Sequence, residues 1–198
     1  MNDELAPPTF DPADAAAAAA RFTATAEPDV SYALIESPVG TLVAARTEVG
    51  LACLSYSDHA GGVDAVLDAI STRISPRVLE KPARLDDVRR ELDEYFEHRR
   101  TAFDLDIDWA LTSPFAEKVL RATTAIPFGE ISTYAQVAAQ AGNSKASRAA
   151  GNALSANPVP IVVPCHRVLH TGGKGIGNYT GGVHRKEALL RLEGVLLG

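Results

Sequence analysis

Apolar and polar positions in this chain follow two different periods. Between Val30 and Tyr56 the apolar residues fall in short β-favouring runs, Val30 to Glu36, Thr41 to Arg46 and Leu51 to Tyr56. Ser37-Pro38-Val39-Gly40 and Glu48-Val49-Gly50 separate them. Runs of this length bounded by Gly and Pro predict an antiparallel meander. The period then lengthens. Residues Val63 to Ile74 carry helical spacing, and Leu85, Val88, Leu92, Tyr95 and Phe96 fall on one face of a helix that ends near His98. Phe103, Leu105 and Ile107 alternate with aspartates, which predicts one more strand.

Beyond Trp109 the texture is helical. Ser113 is placed to cap a helix whose first position is Pro114, where a missing N–H costs nothing. That helix should stop before Pro127-Phe128-Gly129. Thr133 and Gln136 form a capping box, and Tyr134, Val137, Ala138 and Ala141 then recur at helical spacing up to Gly142. Asn143 or Ser144 should cap the next helix, Lys145 to Leu154, so the pair has the spacing of a helix-turn-helix. The second helix is nearly smooth, with Ala146, Ser147, Ala149, Ala150, Gly151 and Ala153 broken only by Arg148 and Asn152. Base-specific readers present several long polar side chains, so a smooth helix suits sequence-tolerant backbone contact with one inserted probe. Small residues suit helix-on-helix packing equally well.

The pattern divides the chain into an Ala/Pro-rich tail over residues 1–29, expected to be loose or partly helical, a sheet-and-helix domain over 30–108 and a helical domain over 109–198. No apolar run approaches the roughly 20 residues that cross a bilayer. The opening Met1-Asn2-Asp3-Glu4 lacks the basic start of a signal peptide, so the expectation is a cytoplasmic protein without a membrane partner. Charge is unevenly spread. Residues 113–198 hold nine Lys and Arg against four Glu, a balance of +5, and since the whole chain carries -6 the first 112 residues carry -11. Nucleic acid therefore stays open as a partner of the C-terminal part alone.

Two cysteines, Cys53 and Cys165, are too few for a disulfide framework or a thiolate zinc site, and no metal or cofactor is expected. Cys53 sits inside a predicted strand. Cys165 ends the proline-stiffened run Asn157-Pro158-Val159-Pro160-Ile161-Val162-Val163-Pro164, a setting that holds a thiol still. His166 could accept its proton, and Arg167 adds positive charge that favours thiolate. A buried, inert cysteine beside a solvent-facing histidine is the other reading of the same residues.

Pro164-Cys165-His166-Arg167-Val168 resembles the active-site signature of the O6-alkylguanine-DNA alkyltransferases, also called methylated-DNA:protein-cysteine methyltransferases. The likeness extends to Gly177-Asn178-Tyr179-Thr180-Gly181-Gly182, to Lys186, to Leu192-Glu193-Gly194, to Ile126 through Glu130, to Thr133-Tyr134 and to Lys145 through Ala149, and it covers the chain from about residue 30 to its end. It implies an α+β protein: a small antiparallel-sheet, ribonuclease-H-like N-terminal domain followed by a winged-helix-like domain with the helix-turn-helix. The implied activity is direct-reversal DNA repair, in which an alkyl group moves irreversibly from O6 of a flipped guanine, less readily from O4 of thymine, onto Cys165. By the same resemblance His166 is the base acting through a water, Glu193 orients it, Tyr134 donates toward guanine N3, and Lys186 belongs to the catalytic set. Leu154, Val168, Tyr179, Thr180 and Gly181 line the substrate pocket. Tyr134, Asn143, Ala146, Ser147, Arg148, Ala149 and Gly151 meet DNA, Arg148 fills the vacated stack, and Asn157 is a hinge. Glycines from Gly172 to Gly182 let the backbone approach the base. The implied partner is double-stranded alkylated DNA, met by a protein monomeric in solution, with cooperative loading on DNA left open. Two rival readings are a lesion-binding module without catalysis and a cysteine hydrolase, which would need an oxyanion hole that the sequence does not identify.

Overall fold

The β-favouring runs form strands where the alternation places them: β1 (Val30–Ile35), β2 (Leu42–Arg46) and β3 (Leu51–Tyr56). They pair antiparallel, with Ala33 opposite Ala44 and Ala44 opposite Leu54. In the turn between β1 and β2, Ser37 Oγ donates to the Gly40 carbonyl at 2.6 Å and Gly40 N donates to the Ser37 carbonyl at 3.0 Å. The computed structural model describes residues 27–59, 61–170 and 175–196. The tail expected over 1–29 therefore lies outside the described residues, except for 27–29, as do Gly172 and Gly173.

Two features of the sheet differ from the sequence expectation. A fourth strand, β4 (Val78–Glu80), runs parallel to β1 and gives the order β3-β2-β1-β4. Three residues are too few to display a period. The strand expected at Phe103 to Ile107 is instead an extended segment that meets β3 at one bridge, Leu51 to Ile107. There Leu51 N donates to the Asp106 carbonyl at 2.8 Å and Asp108 N to the Leu51 carbonyl at 3.0 Å. Gly50 permits this approach, since a Cβ there would lie 2.3 Å from the Asp106 carbonyl oxygen. The alternation of Phe103, Leu105 and Ile107 reflects their packing against the core, not a ladder.

Alternating side chains send the two faces of the sheet to different partners. Val30, Ala45 and Cys53 pack with Ile70 of α1 (Gly62–Arg73). The opposite face, with Ala33, Ile35, Leu42, Leu54 and Tyr56, meets Leu85, Val88, Leu92 and Tyr95 on and just before α2 (Asp86–Phe96). That cluster continues without a break into Val119 and Leu120 of α3 (Pro114–Thr124), Val137 of α4 (Tyr134–Gln140), Leu154 of α5 (Ser147–Ser155) and Leu189 of α6 (Val183–Leu192). The sheet and the helical half thus share one buried core, and Cys165 lies inside it.

Helix boundaries follow local chemistry. Ser113 Oγ accepts from Ala116 N at 3.3 Å, with Pro114 at the first helical position of α3. Thr133 and Gln136 form the expected capping box: Gln136 Oε1 accepts from Thr133 N at 2.8 Å and Thr133 Oγ1 from Gln136 N at 3.3 Å. α4 ends in a Schellman turn, with Gly142 at φ 91 donating to the Ala139 carbonyl and Asn143 N to the Ala138 carbonyl. Neither Asn143 nor Ser144 caps α5. Asn143 Oδ1 accepts from Lys145 N at 3.2 Å, which closes a local turn, and α5 begins at Ser147 with Ala146 in the cap position and no side-chain cap. The asparagine satisfies the turn first, so the helix starts two residues later than the sequence predicts. Two short parallel strands, β5 (Ser132–Thr133) and β6 (Val168–Leu169), join the start of α4 to the residues just after Cys165.

A helix of seven residues has little intrinsic stability, so its cap matters. Thr133→Ala should lower unfolding free energy by about 1 kcal/mol, read from urea unfolding followed by circular dichroism. An unchanged midpoint would show that the capping box contributes nothing.

Candidate active site

One amide side chain sets the shape of the segment that carries Cys165. Asn157, buried just after α5, accepts from Val159 N at 3.0 Å through Oδ1, and its Nδ2 donates to the Val163 carbonyl at 2.9 Å and to Cys165 Sγ at 3.2 Å. The proline-stiffened run turns sharply. Ile161 adopts φ 74, and Val163 N donates back to the Val159 carbonyl at 2.9 Å. A β-branched residue in the left-handed region costs roughly 1–3 kcal/mol. Ile161 is fully buried, and this burial together with the Asn157 bonds holds it there. Leu54 N donates to the Pro158 carbonyl at 2.8 Å and ties the turn to β3. Pro164 then leads into a single helical turn, Cys165–Arg167.

His166, fully buried and not solvent-facing, is held through Nε2 at 2.9 Å from Glu193 Oε1. The same carboxylate accepts from Tyr95 Oη at 2.7 Å, from Arg167 Nη2 and Nε at 2.8 Å each, and from Gly129 N at 3.4 Å. Burial works against the Glu193 charge, but the bonds from His166, Arg167 and Tyr95 override it and hold the carboxyl down at about 2. An ionised Glu193 requires the His166 proton on Nε2. Nδ1 is left with its lone pair free, and it is the only buried side-chain nitrogen or oxygen without a hydrogen-bond partner among the described residues. Burial also lowers the His166 pKa, so the imidazole is neutral near pH 7.

The sequence reading assigned Arg167 to favouring thiolate at Cys165. Its guanidinium instead forks onto Glu193 and donates to the Ile126 carbonyl at 2.6 Å. The cation acting on Cys165 is Lys186, whose Nζ donates to the Val168 carbonyl at 2.7 Å and lies 3.5 Å from the Asn178 carbonyl. Burial pulls Lys186 down to about 8. Burial pushes Cys165 up to about 11, opposed by the Asn157 bond and the Lys186 charge, so the resting group is a thiol. Cys53, packed between the sheet and α1, is pushed up to about 12 by burial alone.

Tyr134, the first residue of α4, is partly buried, packs near Gly151 on α5 and stacks on His170 with ring centroids 5.0 Å apart. A Cβ on Gly177 would come within 2.9 Å of its hydroxyl, so glycine is needed there for space as well as for φ 77. Burial keeps the Tyr134 phenol protonated by raising its pKa. Tyr179 presents its ring edge to His166 at 6.5 Å, Thr180 Oγ1 donates to the Ser155 carbonyl at 2.7 Å, and Gly181 is buried. Leu154 and Val168 are buried in the core beside Cys165. Asn143, Arg148 and Ala149 are exposed, and Ala146, Ser147 and Gly151 partly so. Arg148 has no ion pair or hydrogen bond among the described residues, apart from the helix's own. No group of three or more His, Cys, Asp or Glu among the described residues could hold a metal. No helix among them is long and apolar enough to cross a membrane.

Sequence reasoning missed Tyr95, Tyr56 and Arg185 as neighbours of the site. Tyr95 was legible only as the apolar face of α2, and Tyr56 and Arg185 approach through tertiary packing that no local spacing encodes.

The small sheet domain and the helical half behind it, with the buried Cys165, His166 and Glu193 between them, define a two-domain α+β protein with a DNA-binding helical domain. Residues 30–109 match the family model for the 6-O-methylguanine DNA methyltransferase ribonuclease-like domain, and residues 114–195 match that for the DNA binding domain of the same group. The chain belongs to the 6-O-methylguanine DNA methyltransferase family. It is 36% identical over 163 residues to a methylated-DNA–protein-cysteine methyltransferase of Methanosarcina acetivorans, covering 82% of this chain and 97% of that one. The human protein of the same name is 37% identical over 171 residues, covering 83% and 80%. The crystal structure of Mycobacterium tuberculosis O6-methylguanine methyltransferase superposes with a TM-score of 0.71 at 32% identity, covering 85% of this chain and 95% of that one. The protein of that organism in complex with DNA gives a TM-score of 0.71 at 33% identity, covering 83% and 93%.

Glu193, held at about 2 in the fold against 4.5 otherwise, contributes stability that is complete above 4.5 and is lost as pH falls through 2. The difference corresponds to about 3 kcal/mol. Glu193→Gln should lose stability of this order at pH 7, and the gap to the parent should narrow as unfolding is followed from pH 5 to pH 2. A gap independent of pH would assign the loss to packing.

Proposed function

We propose that this protein repairs double-stranded DNA directly by taking an alkyl group, methyl above all, from O6 of guanine onto Cys165, and that each molecule acts once. The observation that carries the reading is the arrangement at Cys165: a thiol held by Asn157, followed by a neutral histidine whose free Nδ1 is fixed by the Glu193 bond on Nε2.

A buried thiol cannot reach O6 inside a stacked pair, so the target base must be extruded, which costs a few kcal/mol and less for a damaged base. Arg148, unpaired at the surface of α5, takes the vacated place, and the smooth flank of Ala146, Ser147, Ala149 and Gly151 lets the helix come close to the duplex. The Cys165 proton passes through a water to His166 Nδ1. The sulfur lone pair then forms the S–C bond in line as the C–O6 bond breaks, and the bonding electrons remain on guanine. Tyr134, kept protonated, donates toward guanine N3 and stabilises that charge, and the proton removed from sulfur finally returns to the base. Lys186 stabilises the thiolate as it forms. The thioether is not hydrolysed under physiological conditions, so the step is irreversible and uses no cofactor. We further read the protein as a cytoplasmic monomer that meets DNA through its basic C-terminal half.

Incubation with a duplex carrying one O6-methylguanine, followed by intact-mass and peptide mass spectrometry, should show one methyl group per protein confined to Cys165, and none in Cys165→Ser. Product exceeding protein in a long incubation would refute single use. Binding without a mass gain would mean a lesion-binding module.

A second expectation concerns pH. His166 must be neutral to take the proton, and burial lowers its pKa from the ordinary 6.5. The single-turnover rate should therefore stay level as pH falls through 6.5 and decline only below it. A decline centred at 6.5 or above would show that His166 is not the base.

A further inference from the structure

Tyr179, which lies edge-on to His166, is held from the N-terminal sheet. Tyr56, the last residue of β3, is fully buried, and its hydroxyl lies 3.0 Å from Tyr179 Oη with the rings edge to face at 6.2 Å. Its ring lies against the Gly181 backbone so closely that a Cβ there would come within 2.2 Å. Arg185 stacks on Tyr56 at 4.3 Å, donates to the Gly181 carbonyl at 3.0 Å and the Val39 carbonyl at 2.7 Å, and pairs with Asp58 at 2.7 Å. Tyr179 therefore meets both Tyr56 and His166.

We propose that Tyr56 is a specificity-determining residue: its bond to Tyr179 fixes the wall beside Cys165 and thereby limits the size of the alkyl group that the thiol accepts. The inference rests on the alkyl-transfer reading of Cys165. A tyrosine anchored at its hydroxyl cannot swing about its Cα–Cβ bond. Without the anchor the Tyr179 hydroxyl is left partly buried and unpaired, which favours rotation toward water. A methyl group needs alignment with sulfur but little room, whereas a benzyl group needs the wall to yield. Removing the Tyr56 hydroxyl while keeping its ring should therefore raise benzyl transfer relative to methyl transfer.

The test uses the full chain as parent, Tyr56→Phe, Tyr179→Phe and the double variant, with duplexes carrying O6-methylguanine or O6-benzylguanine, and reads the single-turnover transfer rate by mass. The benzyl-to-methyl rate ratio should rise about fivefold or more in Tyr56→Phe, a range that a small change in pocket room can supply. In the double variant the two substitutions should not add, because each removes the same bond. A ratio unchanged in Tyr56→Phe overturns the proposal, including when the melting temperature falls and both rates drop together, which marks a purely structural role. Additive effects overturn it as well. A parent that transfers neither group refutes the reading of Cys165 itself, and the inference falls with it.

Discussion

A carboxylate taken out of water is strongly unfavourable unless every lone pair finds a donor, and Glu193 is built to that requirement. Its donors come from across the molecule: Tyr95 from α2, Gly129 from the turn after α3, His166 and Arg167 from the turn that begins at Cys165. The charge cannot stay buried without those elements in place, and they cannot leave without stranding it. Orientation of His166 is a consequence of this network, since the carboxylate claims Nε2 and only Nδ1 is left to act.

Asn157 exerts a second constraint, on the other side of the thiol. Its amide links the end of α5 to the Val163 carbonyl and to sulfur, so the helix with the exposed Arg148 and the buried Cys165 share one polar fixture. The left-handed Ile161 between them is a strained turn kept by burial on all sides. Strain of this kind persists only where the surroundings over-determine it. Here it delivers Cys165 to the start of a helical turn with His166 next in line. Burial keeps the thiol protonated at rest and the adjacent imidazole neutral.

Much of this was legible in the sequence where a local rule decides the outcome. The three-strand meander, the α2 face, the Ser113 cap and the Thr133–Gln136 capping box all depend on residues within a few positions of one another. β4 was not legible, because Val78–Glu80 is too short to show a period and exists only through its pairing with β1. The start of α5 was misplaced because Asn143 had two local bonds open to it and took the turn. At the site, Cys165 and His166 stood out through their neighbours and through family resemblance. Arg167 stood out too but with the wrong partner, because its charge is matched to a carboxylate 26 residues away. Glu193 on its own has the sequence appearance of a surface residue; only the family resemblance pointed to it, and its partners on α2 and in the turn after α3 are set by tertiary packing.

The N-terminal half is therefore more than a scaffold beside a reactive half. Two of its tyrosines reach the neighbours of His166. Tyr95 bonds the carboxylate that holds His166, and Tyr56 bonds the hydroxyl of Tyr179, whose ring lies edge-on to His166. Both are fully buried in the core that runs from the sheet into the helices. A shift of the sheet against α6 would disturb His166 and Tyr179 together, because a close-packed interior transmits displacement with little compliance. The acidic first half, which itself offers little attraction to a polyanion, contributes to the chemistry from behind, by holding rigid the groups that the basic half presents.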